Sequence, residues 1–214
     1  MEYTFKLMSL SVRKGTATRK AGVETSARVI QAAHDLLESQ PLSKFSMRNV
    51  ADGAGVSLAN LQYYFPRRED LVHAMFEDIG QRYQIASQRV VEAQAANSPI
   101  DRFEAILRFH LEDASKRTTR QFFIQFWALL GSMDNFEGRY LEELYAIDIG
   151  QLSEHIAQLH SGMPKAKIQQ KALLIASMVE GLMVVLGETS KNPSATKRSI
   201  QAAFEAARMI ALQK

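Results

Sequence analysis

The first third of the chain holds a group of side chains that can contact nucleic acid. The amides of Asn60 and Gln62 can each pair with two atoms on the edge of an adenine. The phenol of Tyr63 and the guanidinium groups of Arg67 and Arg68 can hold phosphate oxygens, which fix register rather than sequence. The spacing predicts a DNA-contacting surface. Its candidate residues are Ser46, Arg48, Ser57, Leu58, Ala59, Asn60, Gln62, Tyr63, Arg67 and Arg68.

Two short helices joined by a tight turn are predicted to hold these side chains. Ser46 and Ser57 are each suited to cap a first helical turn, and Gly55 can adopt the left-handed conformation that ends a helix. Pro66 ends the second helix because residues before proline avoid the α region. The first helix carries an apolar face made of Met47, Val50, Ala51 and Ala54. The pattern indicates a helix-turn-helix, and the alternative is an ordinary helical hairpin with a solvated polar face.

The same segment resembles the DNA-binding signature of the TetR family of bacterial one-component regulators. The resemblance covers residues 24–74 and implies a preceding helix near residues 27–38. Its matching positions are Ser46, Ala51, Gly55, Val56, Ser57, Leu61, Tyr63, Tyr64, Phe65, Arg68, Glu69 and Leu71. The resemblance implies a homodimer that binds a palindromic operator on double-stranded DNA, a small-molecule effector in the C-terminal body and, most often, repression.

Four positions depart from the family pattern. Gln62 stands where an aromatic side chain is common, and Arg68 replaces the usual lysine, which keeps the charge but changes its geometry. Pro41 stands where glycine is common between the first two helices. Gly53 lies inside a predicted helix, where glycine costs about 1 kcal/mol relative to alanine, and the sequence offers no reason for it.

Composition and charge fit this interpretation. The chain has 214 residues, enough to bury a substantial core in one or two domains. Its net charge of +3 comes from residues 1–72, since the rest of the chain is balanced. The absence of cysteine excludes disulfides and thiol catalysis and fits a cytoplasmic location. No run of about 18 apolar residues is present, so no membrane span is expected.

The chain divides into three predicted parts within an all-α fold. Residues 1–23 are expected to form a flexible basic arm, which either contacts DNA or remains a solvated tail. Residues 24–70 would form a three-helix DNA-binding head, and residues 71–214 a helical domain for ligand binding and dimerisation. A fourth helix begins near Arg67 and enters that domain. Five further helical stretches are predicted at about 100–115, 118–132, 136–160, 165–187 and 194–212.

The last two helical stretches are unusual because one of them is apolar on nearly all sides. Between Ala172 and Leu186, only Ser177 and Glu180 interrupt the apolar sequence. A helix of this kind must be buried on every side, which in a small bundle requires a central position or a partner chain. We expect these two helices to form a homodimeric four-helix interface, and the alternative is a purely intramolecular core.

The middle helices contain many aromatic and methionine side chains between positions 103 and 145. Such a set is typical of plain core or of a cavity for a small molecule, and the family resemblance favours a cavity. The candidate ligand-binding residues are His110, Phe123, Trp127, Tyr145 and Met178. The histidines lie in no metal-binding motif, and no phosphate loop or nucleophile elbow is present. No metal, cofactor or catalytic residue is therefore expected.

Together these features predict a sequence-specific DNA-binding transcriptional regulator, a repressor that a small-molecule effector releases. An activator or a ligand-independent regulator would carry the same head. From a different class, a helical-bundle enzyme whose hairpin resembles the motif is the alternative.

Overall fold

The computed structural model describes residues 20–94, 98–133, 139–186 and 192–214, without the side chains of 20 and 139–144. Every regular element in these ranges is a helix, which confirms the all-α prediction. The helices are α1 (Lys20–Ser39), α2 (Met47–Ala54), α3 (Leu58–Tyr64), α4 (Arg68–Ala93), α5 (Pro99–Ser115), α6 (Arg117–Gly131), α7 (Arg139–Leu159), α8 (Lys165–Val185) and α9 (Pro193–Leu212). A 3₁₀ turn at Leu42–Lys44 separates α1 from α2.

Helix α1 begins earlier than the sequence predicts. Residues 20–23 are helical, so the expected flexible arm is wrong at its C-terminal end, and its remainder, residues 1–19, lies outside the described residues. The hydroxyl of Thr25 donates to the carbonyl oxygen of Ala21 at 2.8 Å. A hydroxyl that bonds back to the preceding turn allows a polar residue to sit inside a helix where its type favours a cap or a turn.

Side-chain caps fix the starts of α5 and α9. At α5, the Ser98 hydroxyl accepts a hydrogen bond from the Asp101 N–H, and the Asp101 carboxylate accepts one from the Ser98 N–H at 3.0 Å. At α9, the Asn192 side-chain oxygen accepts from the Ala195 N–H at 3.1 Å. Each cap satisfies amides that a first helical turn leaves without a partner. All five stretches predicted after residue 97 are present as α5 to α9.

The chain forms two compact units, Met1–Ile79 and Gly80–Lys214, so the boundary falls within α4. In the first unit, α2 packs against α1 and α3. Ala51 is 1% exposed, and its small side chain permits a close helix crossing. The buried imidazole of His34 lies 3.0 Å from the Asp78 carboxylate and ties α1 to α4. The apolar core of this unit includes Val29, Ala33, Leu37, Val50, Leu61, Phe65, Leu71 and Met75.

In the second unit, α5 packs against α7, α8 and α9. The C-terminal end of α9 is held by two side chains from elsewhere in the bundle. The ammonium of Lys171 donates to the carbonyls of Ile210 and Gln213, and His160 Nε2 lies 2.6 Å from the Ala211 carbonyl oxygen. These bonds satisfy carbonyls that the helix end leaves free. The core here includes Phe103, Leu107, Leu111, Phe126, Leu129, Leu130, Ile156, Ala172, Ile175 and Ala207.

Two glycines near the end of α2 provide a matched test of the turn. Gly55 has φ of 65°, where a side chain is strained, so Gly55→Ala should lower the free energy of unfolding by about 1–2 kcal/mol. Gly53 is helical, and an added Cβ would lie 3.5 Å from the Ala32 Cβ, an ordinary contact. Gly53→Ala should therefore raise the free energy of unfolding by about 0.5–1 kcal/mol. Urea denaturation of both variants measures the two effects, and equal effects would contradict the turn assignment.

Candidate nucleic-acid interface and bundle cavity

The turn between α2 and α3 is built by two caps and one left-handed glycine. Ser46 Oγ accepts from the Asn49 N–H at the start of α2, and Ser57 Oγ accepts from the Asn60 N–H at the start of α3, each at 3.1 Å. Gly55 has φ of 65° and ψ of 36°, which ends α2 and turns the chain. This geometry confirms the two helices and the turn that the sequence predicts.

Helix α3 turns one residue inward and several outward. Leu61 is fully buried and anchors the helix to the core of its unit. Asn60 and Gln62 are exposed, and Tyr63 is 46% exposed although it is a large aromatic side chain. Every candidate DNA-contacting side chain is exposed except Leu58, which is half-buried.

Two guanidinium groups are held in place where α3 gives way to α4. Arg67 Nη2 lies 2.7 Å from one oxygen of Asp70, and the backbone N–H of Arg67 donates to the other oxygen at 2.9 Å. The Arg67 guanidinium holds the pKa of Asp70 below its usual value. The guanidinium carbon of Arg68 lies 5.6 Å from the centre of the Phe45 ring, in cation–π range. Phe45 and Asp70 are supporting residues that the sequence analysis missed.

An open cleft of about 390 Å³, referred to below as the bundle cavity, lies between residues of α6, α7 and α8. Two of the candidate ligand-binding residues, Trp127 and Tyr145, line it. The other lining residues are Glu180, Gly181 and Val184. Glu180 is one of the two polar residues that interrupt the apolar sequence of α8, and that interruption is the signal that could have identified it.

The remaining candidate ligand-binding residues do not line this cavity. The ring centre of Phe123 lies 5.9 Å from that of Trp127. His110 stacks on Tyr83, with ring centres 6.3 Å apart and planes 9° from parallel. Burial lowers the pKa of His110. Met178 is half-buried on α8.

One carboxylate, Glu180, lines the cavity, and Asp148 is close enough to act on its pKa. Tyr145 Oη donates to Glu180 Oε2 at 3.0 Å. Burial raises the pKa of Glu180 to about 7, and the charge of Asp148 adds to this shift. Burial likewise raises the pKa of Asp148 to about 6. Tyr83 donates to a third carboxylate, Asp113, at 2.5 Å. Asp148 and Tyr83 are further residues that sequence reasoning did not single out.

Residues 29–75 match the sequence profile of bacterial regulatory proteins of the tetR family. The matched segment runs from α1 through the turn and α3 into α4. The DNA-binding segment of the chain is thus similar to that of the TetR family.

Individual similar proteins show the extent of the likeness. The HTH-type transcriptional regulator EthR of Mycobacterium tuberculosis is 29% identical over 86 residues, and this alignment spans 40% of each chain. An HTH-type regulator from the dhlA 5′ region of Xanthobacter autotrophicus is 28% identical over 150 residues, or 70% of each chain. The crystal structure of a TetR transcription regulator from Haloarcula marismortui has a TM-score of 0.71 at 14% identity, covering 88% of this chain and 97% of that one. At that identity the structural likeness concerns the fold.

The partly buried carboxylate of Glu180 gives this chain a testable pH dependence. Its pKa is raised in the folded state, so it stabilises the fold below about pH 4.5, its ordinary value, and this contribution is lost as the pH rises through about 7. Glu180→Gln keeps an acceptor for Tyr145 and removes the titration. The variant should be more stable than the parent at pH 8 by about 1–3 kcal/mol.

Thermal unfolding at several pH values measures this effect. Glu205→Gln, which removes an exposed carboxylate on α9, is the control and should follow the parent. A Glu180→Gln variant with the parent's pH profile would show that Glu180 is not buried as described.

Proposed function

We propose that this protein is a sequence-specific transcriptional regulator that binds a palindromic operator as a homodimer and represses until a small molecule releases it. The observation that carries the proposal is the capped helix-turn-helix, whose α3 presents Asn60, Gln62 and Tyr63 to solvent. The match of the same segment to the TetR family supports it. The family likeness does not favour the enzyme alternative. DNA binding in a bacterial cell would place the protein in the cytoplasm.

In this proposal α3 is the helix that enters the major groove. Asn60 and Gln62 would read base edges, because their amides offer a donor and an acceptor side by side. Tyr63, Arg67 and Arg68 would hold phosphates. The Asp70 carboxylate and the Phe45 ring fix the two guanidinium groups before DNA arrives, so less side-chain freedom is lost on binding.

Base readout and phosphate contact can be separated by substitution. Asn60→Ala should lower the preference for the operator over mismatched duplexes, by about 1–3 kcal/mol per lost bidentate contact. Arg68→Ala should weaken binding to all duplexes alike and reduce the slope of log affinity against log salt by about one. Fluorescence anisotropy with a duplex selected from a random pool gives both quantities.

Arg117→Ala is the control for this comparison. Arg117 is exposed at the start of α6, so its removal should leave DNA binding unchanged. If Asn60→Ala and Gln62→Ala both preserve the sequence preference, α3 does not read bases and this part of the proposal is wrong.

The homodimer would form through α8 and α9. The core positions of α8 are buried, but Leu173, Leu174 and Val185 are 52%, 58% and 77% exposed, and Met209 of α9 is 66% exposed. Large apolar side chains grouped at a surface mark an interaction site. A two-fold interface here would link two heads, as a palindromic operator requires.

The apolar character of α8 can also be compared with that of a membrane-spanning helix. By length and composition alone, α8 is able to cross a membrane, a test that core helices of soluble proteins also pass. Two of its charged residues are engaged within the bundle. Lys171 donates to the carbonyls of Ile210 in α9 and of Gln213, which follows the end of α9, and Glu180 accepts from Tyr145. A dimer face accounts for the exposed side of α8 without removing these charges from their partners.

Leu174→Glu should turn the dimer into a monomer, because each interface would then bury two uncompensated carboxylates. Analytical ultracentrifugation at micromolar concentration measures the mass. Ile124→Glu, which alters an apolar residue on α6 that is 45% exposed, is the control and should remain dimeric. A parent protein that sediments as a monomer would overturn this part of the proposal.

Effector control would be a two-state equilibrium. A ligand in the bundle favours one arrangement of the dimer and the operator favours another. A coupling of about 1–3 kcal/mol is enough for a usable switch.

A further inference from the structure

The bundle cavity combines aromatic walls with a carboxylate that lacks a cation. We propose that it binds an organic cation with an apolar or aromatic body, whose charge is held by Glu180 and whose body rests on Trp127 and Val184. This inference rests on the proposed function in one respect, since it names the chemical class of the effector that the bundle would sense.

The first argument is the pairing of acidic groups across the described residues. Several partly buried carboxylates have a basic partner: His34 with Asp78, Arg67 with Asp70, Lys116 with Asp113, and Arg208 with Glu104. Neither Glu180 nor Asp148 lies in an ion pair among the described residues, and no basic group contributes to the pKa shift of either. The hydrogen bond from Tyr145 to Glu180 supplies a dipole but no charge. A buried carboxylate without a cation is costly, and a bound cation would remove that cost.

The second argument is the character of the walls. Tryptophan is the side-chain type that binds cations most strongly through its ring face, and tyrosine also does so. Trp127 and Tyr145 are of these two types. Both line the cavity together with Glu180. Val184 and the bare backbone of Gly181 complete an apolar surface on α8. Apolar and aromatic walls with one fixed polar group are typical of small-molecule sites.

The third argument concerns size and charge. A volume of about 390 Å³ suits an organic molecule rather than a bare ion. The described residues contain no group of three or more His, Asp or Glu side chains that could hold a metal ion. Anions would meet the negative charges of Glu180 and Asp148, and like charges at close range repel.

The protonation state of Glu180 supports the same assignment. Burial raises its pKa to about 7, with Asp148 adding to the shift. Tyr145 on α7 and Tyr83 on α4 also face this cluster, and Asp113 on α5 accepts the hydrogen bond from Tyr83. The pKa of each phenol is raised, so both stay neutral donors. A cation favours the ionised carboxylate, so the affinity for a cation should rise as the pH increases through about 7.

The experiment uses the intrinsic fluorescence of Trp127, which is the single tryptophan of the chain and lines the cavity. The probes are 3-phenylpropylammonium, 3-phenylpropanol and 3-phenylpropanoate, which share one carbon skeleton and differ in charge. The full-length protein should bind the ammonium about tenfold or more tightly than the alcohol, and the carboxylate more weakly still. From about pH 6 to about pH 8 the ammonium stays charged, so any gain in its affinity over this range comes from the protein.

Glu180→Gln should reduce the affinity for the ammonium by about tenfold or more while leaving that for the alcohol unchanged. It should also abolish the gain with pH. Asp148→Asn is a second variant for the same comparison, with a smaller expected loss, and Glu205→Gln is the control. Circular dichroism and thermal unfolding confirm that each variant is folded.

Equal affinity for the ammonium and the alcohol, or a Glu180→Gln variant that retains the preference for the ammonium, would overturn the inference. No DNA is present in this measurement. A failure of operator binding would therefore leave the ligand result intact, and a failure here would leave the DNA-binding proposal intact.

Discussion

A seven-residue helix has almost no stability of its own in water, and α3 is such a helix. Its conformation must be imposed by its neighbours. The Ser57 cap fixes its first turn, and Leu61 anchors it in the core. Phe65, which follows its last residue, is 1% exposed and holds its C-terminal end in the core. The residue types at its exposed positions are therefore set by contacts with a partner rather than by the stability of the helix.

Two partly buried carboxylates of the second unit differ from the paired ones. Asp70, Asp113 and Glu104 each lie beside a basic side chain. Glu180 and Asp148 have no basic partner among the described residues, and the pKa of each is raised. Unpaired buried charge lowers stability, and such a cost is typical of sites that bind a ligand.

The sequence predicts the helix-turn-helix well because its signals are local. Caps, the left-handed glycine and the proline stop each act within about four residues, so their residue types identify them. The start of α1 could not be predicted this way, since Thr25 has the type of a capping residue and yet bonds back to its own helix. Asp148 was missed because burial, which gives it an unusual pKa, depends on helices distant in sequence. Gly53 stays unexplained, since the space beside it admits an alanine.

The side chains that close the end of α9 limit how the bundle can rearrange. Lys171 and His160 reach its last carbonyls from α8 and from the end of α7. A slip of α9 along its own axis by one helical turn, about 5.4 Å, would break all of these bonds at once. Rotation of α9 together with α8 would break none between those two helices. A rearrangement of the bundle that keeps the Lys171 bonds must therefore move α8 and α9 together.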